Sequence, residues 1–310
     1  MIMKDEEIKG RIAEKEDGGI IYDAEIVGET EDKPSGGKTV YLPPQRPLWM
    51  DLLIIVGVYI GSTIIFGLFA GLFAGLTKGD ALLATVVAQV MVYLVTIPVS
   101  VWLLRKRGMK KPILSFSLRK ANPLMILWGF LLIFIMGVVI EPLINLFPDS
   151  YMNDVNDIVL NGGGLGMLMV VIMAPLFEEM LFRGIIQGGA SHEYGPVKAI
   201  LVSSAIFGLI HLVPQQVINA FLCGLILGYI YYRTGSLIPV IAIHLLNNAF
   251  AYIATRMSPE NANETMRQLI NNDTWYWILY AVCAVIFVLA MFKLWQQLNK
   301  ADEKAKLEAK

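Results

Sequence analysis

The chain has 310 residues, 56% of them hydrophobic and only 16% charged, with a mean hydropathy of +0.59. Soluble globular domains carry about 25% charged residues, so this balance excludes an ordinary soluble domain and predicts an integral protein of the cell membrane. A net charge of −1 supplies no field for nucleic acid, so none is expected as a partner; the lipid bilayer is.

Residues 1–46 are rich in Glu, Asp, Lys, Gly and Pro and precede the first long apolar run. Such a stretch buries too little apolar surface to offset its ordering entropy. It predicts a mostly disordered tail without a cleavable leader. The runs Ile20-Ile21-Tyr22 and Thr39-Val40-Tyr41-Leu42 stay open as short strands or docking peptides.

Apolar runs then recur at the length of about 20 residues that crosses a hydrocarbon core of about 30 Å. They cover 50–76, 81–104, 124–146, 165–189, 197–213, 214–233, 236–255 and 274–297. The reading is an all-α polytopic membrane protein with eight transmembrane helices over 47–297. Its motif core lies at 165–255, and a charged tail follows at 298–310. Pro214 separates the fifth span from the sixth, because proline has no donor for the helix ladder.

Lys and Arg near span ends set orientation. Seventeen fall on the side of the two termini and three on the other, namely Lys78, Arg256 and Arg267. Both termini are therefore expected in the cytoplasm, which requires an even number of spans. Gly57, Gly61, Gly67, Gly71 and Gly75 of the first span, and Gly224 and Gly228 of the sixth, have spacings that let helix backbones approach closely in lipid. They are read as packing inside one subunit rather than as a dimer contact; the oligomeric state is left open. Cys223 and Cys283 both lie in apolar runs and define no disulfide framework.

Chemistry concentrates in Ala174-Pro175-Leu176-Phe177-Glu178-Glu179-Met180-Leu181-Phe182-Arg183-Gly184. Each charge at mid-membrane costs about 2.5–3.5 kcal/mol even on insertion scales, so three within six residues must face a protein cavity. Adjacent Glu178 and Glu179 point about 100° apart on a helix. Glu179 and Arg183 are four apart, the spacing of an intrahelical ion pair, which leaves Glu178 to face elsewhere. Two of the three histidines, His211 and His244, also lie in spans, whereas His192 sits in a loop and reads as solvated. Phe207 shares a helix face with His211, and Asn248 with His244. Counted at about 1.5 Å per residue from the cytoplasmic ends, Glu178 lies roughly 16 Å deep, His244 roughly 12 Å and His211 roughly 21 Å. Glu178, His211, His244 and Asn248 can thus converge near mid-membrane.

Low-dielectric surroundings bring a carboxylate towards the strength of a useful general base, and His and Asn donors suit an oxyanion. Those parts make a hydrolase that adds water to an amide. Glu178, His211 and His244 also suit zinc with a water in the open position, so the cofactor reading stays at none or Zn2+. The single-helix HExxH zinc motif is absent. A buried polar network that only glues helices is the remaining reading of the residues.

The ordered trio EExxxR (Glu178, Glu179, Arg183), FxxxH (Phe207, His211) and HxxxN (His244, Asn248) resembles the CPBP family of intramembrane proteases, the CAAX prenyl protease (Rce1-like) and Abi group. The resemblance covers roughly 165–255 and extends to the eight-span layout. It implies an endopeptidase acting on CAAX-type or related membrane-associated peptides, with a peptide or protein substrate as partner. Glu178 and His211 would activate the water, His244 and Asn248 would form the oxyanion site, and Glu179, Arg183 and Phe207 would support them. It equally admits a non-enzymatic immunity or scaffold protein of the same fold.

Overall fold

The computed structural model describes residues 8–14, 20–26, 39–42, 47–77, 81–107, 114–147, 161–261 and 264–307. They belong to two units, Met1–Met50 and Asp51–Lys310.

The first unit holds strands β1 (Ile8–Glu14), β2 (Ile20–Ile26) and β3 (Thr39–Leu42), joined as an antiparallel sheet in the order β1-β2-β3. Ile8 lies opposite Ile26 and Glu14 opposite Ile20; Ile20 lies opposite Leu42 and Asp23 opposite Thr39. Composition alone predicts a mostly disordered tail here, yet both short apolar runs are strands, and a third joins them. Ile, Val, Thr and Tyr fit the extended pleat, and three paired strands support one another where a lone hairpin is marginal. The rest of 1–46 lies outside the described residues, as do Lys33, Lys38, Arg46, Lys78, Lys110, Lys111 and Lys310 from the orientation count.

The second unit is all-α. Its helices are α1 (Leu48–Thr77), α2 (Ala81–Lys106), α3 (Pro123–Val139), α4 (Glu141–Ile144), the long run α5 (Gly163–Leu209), α6 (Pro214–Thr234), α7 (Leu237–Met257), α8 (Met266–Ile270) and α9 (Asp273–Leu307). Among the described residues six of these, α1, α2, α5, α6, α7 and α9, are long and apolar enough to cross a membrane. Eight spans are expected from the sequence, and the difference has two sources. The fourth and fifth expected spans follow one another directly in α5 and count once among the six, but the helix breaks at Gly195, where φ is 76°, a conformation open to glycine. The segment after the break returns along the one before it, with Ser203 Oγ bonded to Phe182 O, so the two expected spans remain separate helices. The third is only 17 residues long as α3 and continues as the short α4.

Helix ends place the later helices. Asn122 caps α3 by accepting from Leu124 N at 2.9 Å, with Pro123 leading the helix. Gly235, at φ 64°, ends α6, and Ser236 caps α7 by accepting from Ile238 N at 3.3 Å. The core of the unit packs α3, α6, α7 and α9 through residues such as Met125, Leu132, Leu227, Ile230, Val240 and Leu294.

The charged tail expected at 298–310 is instead helical through Leu307, as the end of α9. Leu298 is 1% exposed, and Asp302 accepts from Lys120 Nζ at 2.6 Å and Arg233 Nη2 at 2.7 Å. At the other end of the bundle Glu141 is buried and accepts from Arg267 N at 3.0 Å.

Glycines separate two kinds of helix. A Cβ added at Gly208 would meet Val217 O at 2.8 Å, and one at Gly224 would meet Ser204 Cβ at 2.8 Å, so α5 and α6 touch backbone to backbone. The α1 glycines expected to pack inside the subunit do not meet any of the described residues: none lies within 4 Å of a Cβ built at Gly57, Gly61, Gly67, Gly71 or Gly75.

Candidate active site in the helix bundle

The site is built on α5, whose course around Glu178 is not a uniform α-helix. Leu168–Met173 and Met180–Gln187 are π-helical and flank the α-helical turn Ala174–Glu179. A π turn, bonded i to i+5, is wider than an α turn and disturbs the regular backbone pairing. Side chains from elsewhere bond to it here: Asn248 Nδ2 donates to Val170 O at 2.9 Å, and Ser203 Oγ donates to Phe182 O at 2.7 Å. One of the sequence-selected residues, Asn248, therefore ties α7 to the π turn preceding Glu178.

Glu179 and Arg183 are 0% and 1% exposed, and Arg183 Nη1 donates to Glu179 Oε1 at 3.0 Å. The same oxygen lies 2.8 Å from Nδ1 of His244. A carboxylate only accepts, so Nδ1 is the donor, and Nε2 of His244 is the nitrogen left for chemistry. Nε2 lies 3.9 Å from Oε2 of Glu178. The i, i+4 pair read from sequence thus extends across to α7 and fixes the histidine ring.

His211 is held differently. Its Nδ1 lies 2.8 Å from Phe207 O; the carbonyl accepts, so Nδ1 donates and Nε2 again remains. His211 begins the tight turn between α5 and α6, which Val213 N closes by donating to His211 O at 2.7 Å. Between them Leu212 has φ 62°, a left-handed conformation uncommon for leucine. Val213 is extended, as a residue before proline must be.

Phe207 joins these parts. Arg183 Cζ lies 4.4 Å from its ring centroid, His211 meets it edge-on at 5.1 Å and His244 at 6.1 Å. Its face takes the cation, and both imidazoles meet it in T-shaped contacts. From α2, the fully buried Tyr93 stacks on Phe177 at 4.9 Å, backing the turn that carries Glu178.

Glu178, His211, His244 and Asn248 line one cavity of about 160 Å3. So do the uncharged amides Gln216, Asn219 and Asn247, which the sequence reading did not select. Their signal was available: Gln216 and Asn219 are polar residues three apart near the start of an apolar span. His192 stands apart, exposed on α5.

Among the described residues no group of three His, Cys, Asp or Glu side chains is close enough to hold a metal ion. Nδ1 of each site histidine is bonded to a carbonyl or a carboxylate, which leaves Nε2 of both as the nitrogen a metal would take, and Glu178 and His244 are 3.9 Å apart. As arranged, Glu178, His211 and His244 are not gathered into one metal-holding group among the described residues.

Residues 162–250 match the family model described as Type II CAAX prenyl endopeptidase Rce1-like. Over 89 residues the chain is 33% identical to "Putative membrane peptidase YdiL" of Bacillus subtilis (strain 168). That stretch is 28% of this chain and 36% of YdiL, so the likeness spans about a third of the relative's length. No solved structure matches the chain. The matched segment contains all three motifs and every motif residue lining the cavity; residues 162–250 belong to the CPBP/Rce1-like family.

Proposed function

We propose that the protein is an intramembrane endopeptidase that hydrolyses a peptide bond with a water activated by Glu178 and His211. The observation that carries this reading is the 3.9 Å gap between Glu178 Oε2 and His244 Nε2, beside His211 on one cavity. Such a gap is too long for a direct hydrogen bond, so Nε2 of His244 is left to face an oxyanion beside a water held by Glu178 and His211.

Glu178 accepts a proton from the water while Nε2 of His211, free because Nδ1 is bonded to Phe207 O, accepts its other hydrogen as a hydrogen bond. The water oxygen attacks the substrate carbonyl carbon, and the carbonyl oxygen becomes an oxyanion. His244 donates to that oxyanion through Nε2 while Nδ1 donates to Glu179, so it acts as an imidazolium. With that charge, Glu178 and Glu179 balance Arg183 and His244, and the buried cluster is neutral overall before the water reacts. The second N–H of the Asn248 amide, beyond the one given to Val170 O, is available to the same oxyanion. The proton held by Glu178 passes to the leaving amine as the carbon–nitrogen bond breaks.

Substrates on this reading are CAAX-type or related membrane-associated peptides, cut in the half of the bilayer nearer the two cytoplasmic termini. Glu178→Gln is expected to lower cleavage of a quenched fluorescent peptide library by about 100- to 10,000-fold, the usual contribution of a positioned general base, while the protein still inserts. Unchanged cleavage overturns the proposal.

A second reading, a non-enzymatic immunity or scaffold protein, is favoured by one observation. The bonds of Asn248 to Val170 O and of His244 to Glu179 also fasten α7 to α5. On that reading Glu178→Gln retains the full cellular phenotype.

A further inference from the structure

The cavity holds more polar groups than the hydrolytic chemistry uses. Gln216 and Asn219 project from the first two turns of α6 and Asn247 from α7, all three half-buried and all lining the cavity. The one hydrogen bond that any of the three makes among the described residues is a long one, from Asn247 Nδ2 to Asn248 Oδ1 at 3.5 Å. Among the described residues Gln216 and Asn219 make none. An amide in apolar surroundings is costly when unpaired, so amides kept unpaired on a cavity inside a helix bundle point to an occupant that pairs with them.

The occupant can be characterised from the donors. The three groups are uncharged and each both donates and accepts, as a peptide group does. They would not select an ionised ligand. Gln216 and Asn219 are three apart on one helix, so their Cβ atoms are about 5–6 Å apart. Peptide groups that point to one edge of an extended chain repeat every ~6.6 Å, a spacing two flexible amide side chains can follow. A peptide bond is open to attack only where the chain is unwound, and an unwound backbone in hydrocarbon must find partners for its N–H and C=O groups.

We infer that Gln216, Asn219 and Asn247 form a backbone clamp that holds an extended apolar peptide across the cavity, presenting one carbonyl to Glu178 and His211. The inference rests on the peptidase reading for the identity of the occupant. The clamp reads main chain; side-chain selection falls to the apolar wall, where Ile133 and Leu227 line the same cavity. These are positioning residues, since none has a part in moving protons.

The test is binding, kept separate from cleavage. The Glu178→Gln protein in nanodiscs is titrated with a fluorescent Lys-flanked Ala/Leu decapeptide, and with the same peptide N-methylated at single central positions. The expected result is saturable binding, weakened about tenfold by Gln216→Leu combined with Asn219→Leu, the scale of two lost hydrogen bonds. N-methylation at one or two positions should weaken binding to the Glu178→Gln protein and not to the version that also lacks both amides. Absence of binding, or equal binding of methylated and unmethylated peptides by Glu178→Gln alone, overturns the clamp without reference to how the double variant folds. Clamp-dependent binding with no cleavage by the unsubstituted protein overturns the peptidase reading and leaves the clamp standing.

Discussion

Helices α1 and α6 carry the same sequence device and use it in opposite ways. Both are apolar and both place glycines four residues apart. In α6 Gly224 presses against Ser204 of α5, and Gly208 of α5 presses against Val217 of α6. In α1 the corresponding glycines face open space, with side chains such as Leu68 and Phe69 turned outward. A small-residue row permits close approach, and what lies opposite decides whether the approach occurs. The α5–α6 contact occurs beside the candidate site, next to the turn that bears His211. Close backbone packing there makes the turn a fixed support, whereas α1 meets the hydrocarbon as an ordinary apolar span.

The largest expected effect lies within the tightly packed region. Arg183→Ala breaks the buried Glu179–Arg183 pair and leaves the Glu179 carboxylate only the charge it shares with His244, and breaking a buried pair costs about 3–5 kcal/mol. Unfolding in mild detergent should register that loss. Replacing both partners, Glu179→Gln with Arg183→Met, should recover most of the stability but not cleavage, because His244 keeps only a weaker, neutral partner at Nδ1. If the double replacement cleaves normally, Glu179 does not orient the histidine.

The glycine comparison itself comes next in size. Gly208→Ala sets a methyl 2.8 Å from the Val217 carbonyl, a backbone atom that cannot swing aside, and overpacking of this kind costs about 1–3 kcal/mol. Gly67→Ala meets nothing within 4 Å and should change stability by no more than about 1 kcal/mol, in the stabilising direction, since alanine is the better helix former. Equal losses at the two positions would mean that α1 is packed against a partner after all.

What could be read from the sequence follows from what membranes penalise. Glu178, Glu179, Arg183, His211 and His244 stand out because ionisable groups in apolar spans are rare, and three of the four cavity groups chosen for chemistry are among them. The π turns on either side of Glu178 leave no comparable trace: Leu-Met-Val-Val-Ile-Met is as good an α-helix as a π-helix by composition. The bond from His244 to Glu179 was hidden for a different reason. Helical spacing accounts for Glu179 with a partner four residues on, and nothing local announces a second partner 65 residues away. Gln216 and Asn219 were passed over because uncharged amides are cheaper in a membrane than charges and so less conspicuous. The three-strand sheet before α1 was hidden by the polar residues between its strands, which dominate composition while the Cα pairing depends on the short apolar runs.

The smallest expected effect concerns the turn between the two packed helices. Leu212 adopts φ 62° with 84% of its surface exposed, so its side chain contributes little packing while its Cβ opposes the left-handed backbone by about 1–2 kcal/mol. Glycine removes that opposition but adds about 0.5–1 kcal/mol of backbone freedom to the unfolded chain. Leu212→Gly should therefore stabilise the protein by about 0.5 kcal/mol, and Leu212→Ala, which keeps the Cβ, should not. Cleavage should move the other way. The turn holds His211 through the Val213 N to His211 O bond of 2.7 Å, and a glycine hinge lets the imidazole leave its place against Phe207, slowing turnover a few-fold. Strain held beside a reacting group is a known site of trade between stability and activity. A glycine variant that is less stable than the alanine one shows that the left-handed turn is relaxed, and that the α5–α6 contact alone positions His211.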